Sequence, residues 1–418
     1  MSLRIAAIDL NGQFRGKRVP ASHVGKPANM PLSAMNLDIE GADIEDSPLV
    51  FATGDQDGVL VPWSDPIPLP WLGRGAKLQP AMMTVDGVAP FAGDPRQALV
   101  DILDRFAAIG QTVIAACELE FYLLEEDGNF AAPINPQTGR RLAETSILSL
   151  REMDGFAAFF DAIETSAKAM GLNDLIITAE AGVGQFEVTL SHGPALKAAD
   201  DAVLLKELIK GTARAQGMAA TFMAKPFLSE AGNGMHTHFS VEDADGQNVF
   251  LQDNQLHAAV AGCLDHFTAS TLIFAPHTNS YARFVESAHA PTSATWGHDN
   301  RTVAVRIPKG APRVEHRVAG ADVNPYLLYT AIFGAALHGM DRKLPPPPAT
   351  TGNAYDRTDA TRLTSTWGEA IVAFGAASWD GIFPPLLIEN LIATKQQELK
   401  LFSDYSDTQT LWKLVEVV

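Results

Sequence analysis

The sequence predicts an α+β protein of two domains, and three observations predict it. The chain has 418 residues, more than one small hydrophobic core organises. Segments of period two, the mark of half-buried strands, are interspersed with long amphipathic stretches bounded by cap and stop residues. The first of those helical stretches opens only at Asp94-Pro95. That places the division near 90 to 95 and the domains at 1–93 and 94–418. No internal repeat of about 20 to 50 residues interrupts this organisation.

Composition narrows the class of protein. Hydrophobic residues make up 46% and charged residues 19%, the balance of a folded globular enzyme. Lysine and arginine number 31 against 49 aspartates and glutamates, a formal charge of −18. This opposes nucleic-acid and anionic-membrane partners. No apolar run approaches the roughly 18 residues that span a bilayer, and residues 1–20 contain no signal-peptide apolar region. With Cys117 and Cys263 alone, no disulfide framework is expected, so two free thiols in a cytoplasmic protein are.

Taken in order, residues 3–20 read as a hairpin, with Asn11-Gly12 as the turn and Arg15-Gly16-Lys17-Arg18 as a basic strand edge or anion contact. Residues 37–46 form an acidic run read as a solvated loop, and the proline-rich 62–71 as an extended covering loop. The helix from Asp94-Pro95 stops at Gly110. A strand at 112–125 follows, then a capped amphipathic helix at 154–171 and a longer one at 194–217. Between them, 175–190 turns through Gly182 and Gly184. Residues 267–275 suit helix or strand alike, a helix should begin after Asn324-Pro325-Tyr326, and the tail from Trp367 is helical.

Chemistry concentrates on the strands. Glu118 and Glu120 share one face of an otherwise apolar strand, an arrangement that is costly unless cations compensate it. Glu180 and Glu187 flank the glycine turn, which can return both carboxylates to one point. Met235-His236-Thr237-His238-Phe239 reads as a strand whose two imidazoles face one side, and Ala231-Gly232-Asn233-Gly234 before it lets the backbone approach a ligand closely. Residues 299–319 read as two strands around a proline turn, with Arg313, Glu315 and Arg317 on one face and Arg301 and Arg306 nearby. Carboxylates with one imidazole suit two hard divalent cations, Mg²⁺ or Mn²⁺, and permanently charged bidentate arginines suit phosphate. Together these are the parts of phosphoryl transfer, although no P-loop or protein-kinase motif is present.

The motifs resemble the glutamine synthetase family of carboxylate–amine ligases. The resemblance rests on Glu118-Leu119-Glu120-Phe121, Gly184-Gln185-Phe186-Glu187, Lys225-Pro226 with Gly234-Met235-His236-Thr237-His238, Asn300-Arg301 through Arg306-Ile307-Pro308, Arg313-Val314-Glu315-His316-Arg317, and Asn324-Pro325-Tyr326-Leu327, in family order. It implies an N-terminal β-grasp domain and a catalytic domain with a curved antiparallel sheet. By position, Glu120, Glu180 and Glu187 would hold one metal, and Glu118, His236 and Glu315 a second. His238 and Ser240 would lie toward ATP, with Arg306, Arg313 and Arg317 at its phosphates and Arg301 at the transferred phosphate. Arg283 would bind the glutamate α-carboxylate, with the backbone around Gly232 near its amino group. The family also implies a homo-oligomer, a dodecamer of two hexameric rings with sites shared between subunits.

Departures from the family pattern bear on the amine. Glutamine synthetases proper carry an Asp-Gly-Ser-Ser segment where this chain has Pro31-Leu32-Ser33-Ala34, and a flap glutamate where it has His289. An ammonium site needs buried negative charge; a neutral imidazole supplies none, although it can act as a base. Asp9-Leu10-Asn11-Gly12 with Arg15-Gly16-Lys17, and Trp296-Gly297-His298-Asp299-Asn300-Arg301, resemble the γ-glutamylpolyamine or γ-glutamylamide synthetase branch. The expected reaction is therefore ATP-dependent joining of glutamate to a polyamine or alkylamine through γ-glutamyl phosphate. Trp63, Trp71 and Trp296 suit either core packing or an amine pocket. Three alternatives stand beside it. A true glutamine synthetase would use ammonium, an amidohydrolase built on His236 and His238 would work without ATP, and a regulator would not bind metal.

Overall fold

The turn between its first two strands ties the first sheet to the rest of the chain. In the computed structural model, which describes residues 2–126, 129–172, 174–285 and 289–418, strand β1 (Leu3–Ile8) turns back into β2 (Phe14–Val19). Asp9 is fully buried in that turn, where its carboxylate accepts from the Asn11 and Gln13 amides and pairs with Arg15 at 2.6 Å. Gly12 takes φ +75°, the left-handed conformation such a turn requires. The turn then docks on two distant helices. Asn324 Nδ2 donates to the Asp9 carbonyl at 2.9 Å, and Asn11 donates to Glu398, itself paired with Lys395 at 2.8 Å with both side chains buried.

Strands β3 (Ala28–Pro31), β4 (Asp57–Pro62), β5 (Ile67–Pro68) and β6 (Lys77–Thr84) complete the first sheet in the order β2-β1-β6-β4-β3, with β5 beside β6. Its central β1–β6 pair is parallel and the others are antiparallel. The basic segment of β2 is a solvent-exposed edge, as one sequence reading had it. The acidic run is less exposed than expected. Asp38, Ile39 and Ile44 are buried, because the Asp38 carboxylate caps the amides of Glu40 and Ala42 and receives Gln397.

Helix α1 (Pro95–Ala108) begins as the sequence predicts, with the Asp94 carboxylate accepting from the Arg96 and Gln97 amides. It leads into β7 (Thr112–Glu125), the spine of the second sheet. A small ribbon, β8 (Ile134–Asn135) and β9 (Arg140–Arg141), precedes α2 (Leu150–Gly155) and α3 (Ala157–Met170). The single helix expected at 154–171 is thus two. A Cβ on Gly155 would meet Asn135 at 2.2 Å, and Phe156, buried beyond it, leaves helical geometry. Ser149, not Asp154, caps the first helix, whereas Gly171 ends the second in the left-handed conformation as predicted.

The second sheet continues through β10 (Leu175–Ala179), β11 (Gln185–Leu190), β12 (Gly193–Pro194), α4 (Ala195–Ala215), β13 (Met218–Thr221), β14 (Met235–Glu242), α5 (Asp253–Asp265) and α6 (Thr271–Phe274). The ambiguous 267–275 segment is therefore turn and short helix. Strands β15 (Trp296–His298), β16 (Val305–Ile307) and β17 (Val314–His316) close a sheet ordered β10-β11-β7-β14-β17-β16-β15, with β12 and β13 also on β7. Helices α7 (Pro325–Arg342), α8 (Trp367–Ala376), α9 (Pro385–Phe402) and α10 (Asp407–Leu414) finish the chain.

Period two sorts the two faces of this sheet. Cys117, Leu119, Phe121, Phe186, Val188 and Phe239 are buried in one core with α1, α4 and α7, and Phe239 meets Phe333 of α7 at 5.3 Å. Their alternates Glu118, Glu120, Glu187, His236 and His238 therefore emerge together on the other face. No helix among the described residues is long and apolar enough to cross a membrane.

Candidate active site

Register places the acidic groups directly opposite one another. On β11 and β7, Glu187 faces Glu120; on β14 and β7, His236 faces Glu118; on β14 and β17, His238 faces Glu315; and on β16 and β17, Arg306 faces Glu315. Like charges directly across a ladder repel, so this row is stable only with compensating cations.

Glu118 is the most firmly ionised member. Burial pushes its pKa upward, but hydrogen bonds from His236 Nδ1 and His238 Nε2, both at 3.0 Å, outweigh that and hold the carboxyl well below its usual range. Arg313 Nε donates to His238 Nδ1 at 3.4 Å. That leaves the hydrogen of a neutral His238 on Nε2, toward Glu118. His236 is kept neutral by burial and by the nearby Arg317 charge, which lower its pKa. With Nδ1–H on Glu118, its Nε2 lone pair remains for a ligand.

Glu120 and Glu187 lie at the other extreme. Burial, relieved in part by Arg283, raises Glu120 to about 7. Burial together with the charges of Glu118, Glu120 and Glu180 raises Glu187 to about 9. Glu180, at the hairpin turn after β10, is raised by burial as well. Ligand atoms of Glu118, His236 and Glu315 lie within 4.8 Å of one another, and those of Glu120, Glu187 and His236 do likewise. Two carboxylate-rich groups meeting at one imidazole match the donor chemistry of paired hard divalent cations, whose charge would relieve the repulsion. Glu180 belongs to neither group, although its charge raises the Glu120 and Glu187 pKa values.

Arginines line the other side. Arg317, only 3% exposed, and Arg306 both pair with Glu315, Arg306 at 2.7 Å. Against burial, which pushes it up, the Arg317 charge leads in holding the Glu315 carboxyl below its usual range. Arg306 also binds Asp299 at 2.6 Å, yet Nε of both Arg306 and Arg317 is buried without a hydrogen-bond partner. Such donors suit an anion. Arg301 is exposed in the turn before β16, close enough for its charge to lower the Glu180 pKa.

The glycines of the 231–234 segment are there for space. A Cβ on Gly232 would meet the Ala224 carbonyl at 2.6 Å and Arg283 Cγ at 2.8 Å; one on Gly234 would meet Arg283 Nη2 at 2.6 Å, His236 Nε2 at 3.3 Å and Glu120 Oε2 at 3.4 Å. Arg283 lies across both, 4% exposed, with Nη1 on the Val318 carbonyl at 2.6 Å, and the Gly234 amide donates to Glu120 at 2.6 Å. A cleft of about 460 Å³ opens beside the row, lined by Ile114, Ile176, Leu190, His238, Ser240 and Arg313. His289 is exposed at φ +56°; residues 286–288 before it lie outside the described residues.

Sequence reasoning missed two groups. Asp322, buried beside Arg283, accepts from Ser280 and so anchors the turn that carries Arg283. Tyr355 donates to the Ala290 carbonyl at 3.1 Å and lies within the fields of Arg283 and Arg317. Neither belongs to a periodic pattern, so no local signal marks them. The tryptophans take packing roles. Trp63 stacks on Arg96 at 4.1 Å, Trp71 packs on Gly211 of α4, and Trp296 is buried with Nε1 on the Pro347 carbonyl.

Residues 92–413 match the glutamine synthetase catalytic domain. The chain is 38% identical over 374 residues to the γ-glutamylputrescine synthetase of Escherichia coli strain K12, covering 84% of this chain and 78% of that one. It is 30% identical over 441 residues to a glutamate–isopropylamine ligase of a Pseudomonas species, covering 100% and 95%. A GmaS chain solved as an ADP complex superposes with a TM-score of 0.84 at 27% identity, over 97% of this chain and 94% of that one. The chain belongs to the glutamine synthetase family, on its branch of ATP-dependent ligases that join amines to glutamate.

Proposed function

We propose that this protein joins the γ-carboxyl of glutamate to an organic amine, a polyamine or alkylamine, through γ-glutamyl phosphate. The observation that carries the reading is the row across four strands, in which His236 is common to two groups of carboxylates while buried arginine donors stand unpartnered beside it. Glu120, Glu180 and Glu187 would hold one divalent cation and Glu118, His236 and Glu315 a second. Bound there, Mg²⁺ or Mn²⁺ would neutralise phosphate charge as phosphoryl transfer proceeds.

Arg283, fixed by the Val318 carbonyl, holds the glutamate α-carboxylate, with the backbone at Gly232 near its amino group. His238 and Ser240 line the cleft that takes ATP, and Arg306 and Arg313 hold its phosphates. A γ-carboxylate oxygen attacks the terminal phosphorus, the bond to the ADP oxygen breaks, and Arg301 and Arg317 stabilise the transferred charge. The amine nitrogen then attacks the acyl carbon, the bond to phosphate breaks, and the amine proton passes to a base, assigned to His289. Two features favour an organic amine over ammonium. Leu32–Met35 contributes no carboxylate, and position 289 is an imidazole.

Phosphate release from ATP with glutamate and Mg²⁺, run across ammonium, methylamine, isopropylamine, ethanolamine, putrescine and spermidine, tests the reading. Turnover with an organic amine well above ammonium is expected. Turnover chiefly with ammonium returns the protein to glutamine synthetases proper, and γ-glutamyl amide hydrolysis without ATP to amidohydrolases.

Three further assignments belong to this proposal. The domains divide at 93/94, supported by the two separate sheets and by a family match that begins at residue 92. The protein assembles as a dodecamer of two hexameric rings. Phe51 and Val88, each 85% exposed on the first-sheet side, are the kind of surface such contacts cover, and light scattering on the eluted protein measures the mass. A cytoplasmic location fits two buried, unpaired cysteines.

A further inference from the structure

We infer that the chain carries a separate site for a Zn²⁺-class cation, made by His266, His338 and Asp265 where α5 meets α7. The site lies away from the catalytic row. Phe333 packs α7 against Phe239 on the core side of β14, whereas His236 and His238 leave the other side.

Close helix packing builds it. A Cβ on Gly262 would meet the Ala335 carbonyl at 2.0 Å, and one on Gly339 would meet the Ala258 carbonyl at 2.1 Å, so α5 and α7 touch backbone to backbone. His266 lies one turn beyond Gly262 and His338 next to Gly339, which sets their rings 4.8 Å apart. Asp265 Oδ2 is 3.7 Å from His266 Nδ1 and 3.7 Å from His338 Nε2. That is beyond the roughly 3.2 Å limit of a good hydrogen bond. It is close to the ~3.4 Å between two ligand atoms of one tetrahedral zinc, given bonds of about 2.0 to 2.2 Å. All three ligand atoms lie within 4.8 Å of one another.

The second observation is an orphan. His266 is 8% exposed, packed against Trp379 at 5.9 Å, and its Nδ1 is buried with no hydrogen-bond partner. A buried imidazole nitrogen aimed at a carboxylate and a second imidazole is a ligand position. Arg342 is a nearby charge opposing a cation, and burial with the charges of His338 and Arg342 favours the neutral, metal-binding imidazole of His266. Two imidazoles and one carboxylate select Zn²⁺, Co²⁺ or Ni²⁺ over the Mg²⁺ of an oxygen-rich site. Asp265, 59% exposed, leaves a coordination position for water.

The test is Co²⁺ titration of the full-length protein saturated with Mg²⁺, read by visible absorption. The intense bands of a four-coordinate centre, saturating at one equivalent per chain, are expected. They should vanish in His338→Ala and in Asp265→Asn, while amine-dependent phosphate release in Mg²⁺ stays at the unsubstituted level and certifies the fold. His338→Gln, which keeps the side-chain volume, serves if the alanine variant fails to fold. Absence of the bands from the unsubstituted protein, or their survival at full intensity in the variants, overturns the assignment.

Discussion

Replacing Gly234 by alanine adds one methyl group at the crossing of three site residues. Its Cβ would sit 2.6 Å from Arg283 Nη2, where ordinary contact begins at 3.4 Å, so the guanidinium must retreat by about 0.8 Å. Arg283 cannot swing away freely, because it is 4% exposed and its Nη1 is held at 2.6 Å by the Val318 carbonyl. His236 Nε2 at 3.3 Å and Glu120 Oε2 at 3.4 Å are already at contact. A displacement near 1 Å in a positioning group is worth on the order of 100-fold in rate, roughly 2.7 kcal/mol of transition-state stabilisation. The overpacking itself costs about 1 to 3 kcal/mol of stability. The assay is kcat/KM for amine-dependent phosphate release, with the melting temperature measured alongside. Gly368→Ala is the control. Its Cβ meets only Leu399 Cδ2, at 3.6 Å, within α8, so the same methyl should leave activity intact and stabilise by up to about 1 kcal/mol. A Gly234→Ala enzyme with unchanged kcat/KM would refute the crowding assigned to this residue.

Other predictions concern charge and stability. Arg96 forms a two-pronged buried pair with Asp200 at 2.8 and 2.9 Å, joined by Tyr326. Arg96→Met should therefore destabilise by about 3 to 5 kcal/mol, and adding Asp200→Asn should recover part of it, as judged by thermal melting. Metal-free protein at pH 7.5 should release protons on binding Mn²⁺. Glu187, raised by burial and by neighbouring carboxylates to about 9, holds its proton there until a cation displaces it, so apparent affinity rises as pH approaches 9. Proton release unchanged in Glu187→Gln contradicts that account. His289→Glu should shift selectivity toward ammonium in competition assays.

Local physics made much of this protein legible from its residues. Period two put Glu118 with Glu120, His236 with His238 and Arg313 with Glu315 on shared faces, and the structure has them so. Caps at Asp94 and Asn324 marked helix starts because their side chains satisfy amides only a few residues away. Distance decided the rest. Only register sets Glu187 opposite Glu120 and places both histidines on Glu118, so only the folded sheet makes one carboxyl a weak acid and another a strong one. The break at Gly155 depends on Asn135, some 20 residues away, and Asp322 reaches Ser280 across the core. The convergence of His266 and His338 likewise depends on two glycines that let α5 and α7 touch, a contact between positions over 70 residues apart that neither helix encodes by itself.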